Sequence, residues 1–85
     1  MTPLEHQVTL FLQALSGAPE PELAPDAWYT NYQGHALDLS SLEVVQLVDL
    51  IEATFDLVLT SDDVVRAHFA TPAAIVARLR LRGAA

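Results

Sequence analysis

Cysteine is absent from the 85 residues, and so is lysine. Without a thiol the chain can build no disulfide framework, no thiolate zinc or iron–sulfur site and no cysteine nucleophile, so any sulfur chemistry must be brought in by another molecule. The fixed cations are Arg66, Arg78, Arg80 and Arg82, whereas all eleven acids lie within residues 1–65. The net charge of −7 repels nucleic-acid phosphates and anionic lipid over most of the surface and favours a basic protein face. Glycine is scarce as well: three residues, with no GxGxxG or Walker pattern, give no nucleotide-binding loop. No apolar run approaches the roughly 18–20 residues of a membrane span. The start Met1-Thr2-Pro3-Leu4-Glu5 lacks a basic segment for secretion. The expectation is a cytoplasmic protein with neither membrane nor nucleic-acid partners.

What remains is a chain that is 52% hydrophobic and 18% charged, enough for one small core and one domain over residues 1–85, with little interior for a deep substrate cavity. Thr2-Pro3-Leu4-Glu5 resembles a capping box with proline at the first helical position. Leu4, Val8, Phe11, Leu12 and Leu15 then follow on one face, and Gly17 is placed to end this first helix. Residues 18–40, with Pro19, Pro21 and Pro25, hold no sustained period and read as one long loop, anchored by Trp28, Tyr29 and Tyr32. The strongest period runs from about Ser41 to Phe55, with Val44, Leu47, Val48, Ile51 and Phe55 on one face and Glu43, Gln46, Asp49, Glu52 and Asp56 on the other. Leu42, Val45 and Leu50 fall outside the core stripe, beside the carboxylates, as a partner-binding strip would. Thr60 or Ser61 before Asp62-Asp63 predicts a short third helix to about Phe69. Thr71-Pro72 opens a fourth through Ile75, Val76 and Leu79, with arginines in its last turns and Gly83 beyond. The fold class predicted is all-α: a four-helix bundle with a long first loop and a short third helix.

Ser41 has His35 and Asp38 nearby in sequence, the residue types of a hydrolase triad. Such a triad depends on spatial geometry, however, and nothing in the sequence supplies an oxyanion hole. His6, His35 and His68 lie in separate elements without metal-ligand spacing. The more telling property of Ser41 is its place at the start of an amphipathic helix, where orphan backbone N–H groups and the macrodipole favour a phosphoryl group. The plainer alternative is that Ser40 or Ser41 merely caps that helix.

Leu37-Asp38-Leu39-Ser40-Ser41-Leu42-Glu43-Val44-Val45-Gln46-Leu47 resembles the acyl carrier protein signature, in which a Gly-x-Asp-Ser-Leu element precedes a helix of Val, Glu and Leu. Ile51-Glu52-Ala53-Thr54-Phe55-Asp56 is similar to the end of that family's second helix, and His68-Phe69-Ala70-Thr71-Pro72-Ala73-Ala74-Ile75 to the approach to its fourth. Ser40 stands where the family has Asp, and Asp38 where it has Gly. The resemblance implies a non-catalytic, monomeric carrier. A phosphopantetheinyl transferase would move 4′-phosphopantetheine from coenzyme A onto Ser41, and the thiol of that arm would hold polyketide, fatty-acyl or aminoacyl groups as thioesters. It implies further that Leu42, Glu43, Val45, Gln46 and Asp49 meet the transferase and client enzymes such as a ketosynthase, acyltransferase, adenylating enzyme or thioesterase. Met1 ahead of a capped helix points to a free-standing carrier. The competing expectation is a helical adaptor that uses the same strip with no cofactor and Ser41 only as a cap.

Overall fold

Thr71 shows how closely the local sequence sets an element here. Its hydroxyl accepts from Ala74 N at 3.1 Å, Pro72 occupies the first turn, and the helix Pro72–Leu81 follows. The computed structural model describes residues 2–16 and 25–84. Within them α1 spans Pro3–Ser16, α2 Pro25–Tyr32, α3 Ser41–Phe55 and α4 Pro72–Leu81, with a 3-10 turn at Arg66–His68 and no strand.

The apolar stripes meet as their spacing requires. Leu4, Val8 and Leu12 of α1 face Leu47 and Ile51 of α3 and Ile75, Val76 and Leu79 of α4 in one buried cluster. Each such side chain contributes roughly 1.5–3 kcal/mol by leaving water. α1 is the hub, packing against α2, α3 and α4. Its N-terminus is tied to α4: Arg80 Nη2 donates to Thr2 Oγ1 at 3.1 Å and to Glu5 Oε1 at 3.0 Å. Burial pushes the Glu5 carboxyl up, but the bonds from Arg80 and Thr2 outweigh it and hold the group below its ordinary value.

Two expectations are corrected. The segment 18–40 is not one loop, because Pro25–Tyr32 forms α2. Trp28, 3% exposed, sinks into the core against α1, and Tyr32 stacks on it with ring centroids 4.8 Å apart. An eight-residue helix is not stable alone, so this docking is what holds it. Gly17 and its cap, with Pro19 and Pro21, lie outside the described residues. The second correction concerns residues 60–69, which make a tight turn and then only the 3-10 turn. Asp63 is the cause. Its carboxylate accepts from Thr60 N at 2.9 Å and Thr60 Oγ1 at 3.1 Å, and it is drawn to Arg78 at 2.7 Å and Arg82 at 3.2 Å on or just beyond α4. Val65 then turns extended, at φ −104° and ψ 156°, and the helix cannot propagate. Four α-helices form among the described residues, but α2 takes the place of the expected third.

α4 ends as its glycine suggests. Gly83 sits at φ 97°, with Gly83 N bonded to Arg80 O at 3.1 Å and Ala84 N to Leu79 O at 3.0 Å, the paired bonds of a Schellman motif. A Cβ there would meet no atom within 4 Å, so only the backbone conformation resists substitution. Gly83→Ala should lower stability by about 1 kcal/mol in a denaturant titration. An unchanged midpoint would show that the motif opens without penalty.

Candidate functional site

The chain enters α3 through two adjacent serines with different tasks. Ser40 is the cap: at φ −72° and ψ 165° its Oγ accepts from Glu43 N at 3.2 Å, while Glu43 Oε1 accepts from Ser40 N at 2.9 Å. This reciprocal box satisfies an orphan donor of the first turn. Ser and Asp are comparable N-caps, so Ser40 performs the structural work an Asp would do at that position. Ser41, the first helical residue, is exposed, and its hydroxyl makes no hydrogen bond among the described residues.

Ser41 also stands on the rim of an open groove of about 550 Å³. One wall is the segment Ala36–Leu39, one is the first turn of α3 with Val44, and the third runs from Val64 to Ala70 and includes Phe69. The walls are fastened by backbone bonds, Leu37 N to Ala70 O at 2.7 Å and Ala73 N to Gln33 O at 3.4 Å. Asp63, fully buried, secures the third wall through its ties to Thr60, Arg78 and Arg82. The bond from Thr60 N, with those from Arg78 and the Thr60 hydroxyl and the charge of Arg82, outweighs burial and holds the Asp63 carboxyl below its ordinary value. Arg66, exposed, lies on the groove's edge.

The strip anticipated on α3 is where the helical wheel put it. Leu42 and Val45 are 66% and 56% exposed and Leu50 38%. Gln46 and Asp49 are exposed beside them, while Glu43 is half-buried and committed to the cap. His35 and Asp38 are not gathered to Ser41. The His35 ring meets Tyr32 edge-on at 6.1 Å, and no hydrogen bond links the three residues among those described. His6 is exposed on α1, and His68 is half-buried in the 3-10 turn. No three His, Cys, Asp or Glu side chains among the described residues are grouped to hold a metal ion. No described helix is long and apolar enough to cross a membrane.

The groove is what the sequence concealed. Leu37, Leu39, Val64, Arg66 and Phe69 converge from separate segments, and no linear pattern announces them. The alternation of Leu37 and Leu39 about Asp38 was the one local sign that this segment turns an apolar side inward. No protein-family model, curated protein or solved structure matches the chain.

Proposed function

We propose that the protein is an acyl carrier, bearing 4′-phosphopantetheine on Ser41 and presenting thioester-bound biosynthetic intermediates to partner enzymes. The observation that carries this reading is the division of labour at the start of α3: Ser40 closes the cap, which leaves the neighbouring Ser41 hydroxyl exposed and unbonded among the described residues. A hydroxyl so placed can enter a transferase active site without dismantling the helix. As its oxygen bonded to the pantetheine-side phosphorus of coenzyme A, the pyrophosphate P–O bond would break, adenosine 3′,5′-bisphosphate would leave and the serine proton would pass to the transferase, and the new phosphodiester would sit at the positive end of α3. There the macrodipole stabilises an anion by roughly 0.3–1 kcal/mol. When bound, the arm supplies the thiol that the cysteine-free chain lacks.

Leu42 and Val45 offer apolar contact area beside the site, and Gln46 and Asp49 flank them. A basic client surface would be steered by the acidic chain and held weakly by this small strip, as a shuttling carrier needs. The reading names as partners the transferase and such enzymes as a ketosynthase, acyltransferase, adenylating enzyme or thioesterase. Incubation with coenzyme A and a broad-specificity phosphopantetheinyl transferase should raise the intact mass by one phosphopantetheine. An unchanged mass would overturn the reading and leave the strip to a cofactor-free adaptor.

A further inference from the structure

We propose that Arg66 pairs with the phosphodiester carried on Ser41 and so fixes the root of the arm toward its own side of α3, an inference that rests on the carrier reading. Arg66 is the one guanidinium the fold leaves over. Arg78 and Arg82 are drawn to Asp63 and Arg80 to Glu5, whereas the Arg66 side chain makes no ion pair or hydrogen bond among the described residues. Of the described residues that line the groove, Arg66 alone is charged, and Ser41 lines it too.

The nearby carboxylates do not compete for it. Asp63 is fully buried with its other partners, and the Glu43 carboxylate is engaged by Ser40 N at 2.9 Å. Asp38 does not line the groove, although Leu37 and Leu39 on either side of it do. Asp62 is exposed and makes no ion pair among the described residues. The backbone that carries Arg66 is fastened: Arg66 O accepts from Phe69 N at 3.2 Å, Phe69 is buried, and Ala70 O accepts from Leu37 N at 2.7 Å.

A phosphodiester keeps a single negative charge at neutral pH and two unesterified oxygens, which a guanidinium fork can hold by paired hydrogen bonds. Ser40 is neutral and adds no opposing charge beside it. The covalent tether keeps the phosphate near Arg66 at an effective concentration of millimolar or more. A free phosphate would instead have to approach a chain of net charge −7 for the sake of one exposed cation. The consequence is directional. Val44 lines the groove but Leu42 and Val45 do not, so an arm rooted toward Arg66 leaves their strip uncovered for a client enzyme.

The test is phosphorus and nitrogen NMR on the full chain loaded with phosphopantetheine, once intact mass has shown the arm in place. Loading should move the Arg66 side-chain Nε–Hε resonance, and the phosphorus resonance should differ from that of the loaded chain unfolded in urea. Raising the ionic strength from about 0.01 to 1 M, which shortens the Debye length from roughly 30 to 3 Å, should carry both resonances back toward their unpaired positions. Arg66→Gln should cut the salt response of the phosphorus resonance by about half or more, the effect of one exposed charge pair, and Arg66→Lys should keep part of it. The urea midpoint of unloaded Arg66→Gln should equal that of the native chain, because the exposed side chain holds nothing in the fold. Inorganic phosphate at about 1 mM should leave the Arg66 resonance of the unloaded chain in place. A loaded chain whose Arg66 resonance is unmoved, or whose phosphorus resonance responds to salt equally in Arg66→Gln, overturns the pairing and leaves the carrier reading intact. A lower urea midpoint in Arg66→Gln would make the residue structural, and saturation by inorganic phosphate would make it a general anion site; either overturns the pairing likewise. Failure to load, seen in the mass alone, removes the carrier reading and the pairing with it.

Discussion

Ser41→Ala should abolish the phosphopantetheine mass increment altogether and leave thermal stability almost unmoved, while Ser40→Ala should do the reverse. The first half follows from the exposed Ser41 hydroxyl, which makes no hydrogen bond among the described residues, so its removal takes no interaction from the fold. Such a surface change stays within about 0.5 kcal/mol. The second half follows from the bond between Glu43 N and Ser40 Oγ at 3.2 Å. Its loss orphans a first-turn donor and should lower stability by about 1 kcal/mol, with the attachment oxygen still in place. Ser40→Asp should keep both stability and modification, because an aspartate oxygen caps as well as a hydroxyl. Intact mass and a denaturant midpoint, measured on the same three variants, give a crossed pattern that neither an enzyme centred on Ser41 nor a purely structural serine produces. If Ser41→Ala is still modified, the arm is elsewhere.

Asp63→Asn should be the most destabilising exchange outside the hydrophobic core. The carboxylate is fully buried and accepts from Thr60 N, Thr60 Oγ1 and Arg78 Nε, with Arg82 Nε at 3.2 Å. The amide keeps the shape but loses the charge facing two guanidinium groups, and its NH2 must point at one of them. The sign with pH is fixed by the direction of the shift. The folded carboxyl titrates below its ordinary value of 3.8, so its stabilisation is complete above that value and lost as pH falls through the folded one. The native chain should therefore lose stability below pH 3.8, while Asp63→Asn lacks this contribution already at neutral pH and shows a flatter acid limb. Because Arg78 and Arg82 share the carboxylate, Arg78→Gln should be milder, and the pair Asp63→Asn with Arg78→Gln less than additive. A neutral-pH midpoint for Asp63→Asn equal to that of the unaltered chain would show that the clamp adds nothing.

Where the sequence was legible, two signals coincided. α1, α3 and α4 each combine an apolar face at helical spacing with a cap, Thr2, Ser40 or Thr71, and their starts follow from those residues. α2 lacks the first signal. It buries Trp28 and half-buries Tyr29, too little to make a period, and its one readable mark was Pro25 followed by Asp26, a proline-and-acid helix start among loop-like residues. The expected third helix is broken where Val65 turns extended, and of the residues that would launch it Asp63 is held by Arg78 and Arg82 of a distant segment. The exposure of Ser41 and of the Leu42 and Val45 strip was readable from one helix alone. The groove was not, since Leu37, Val44 and Phe69 become neighbours only after three segments close, and which arginine stays unpaired is decided by the other three.

The clasp between Thr2, Glu5 and Arg80 joins positions 78 and 75 residues apart in the chain. During synthesis, then, α1 must wait for α4 before its inner face is fully covered. The wait is a kinetic burden, since contacts so distant in sequence form only after a long stretch of polymer has closed on itself. Until residues 72–81 have been added, Leu4, Val8 and Leu12 of α1 lack their partners Ile75, Val76 and Leu79, and it is there that a chaperone would find its handle.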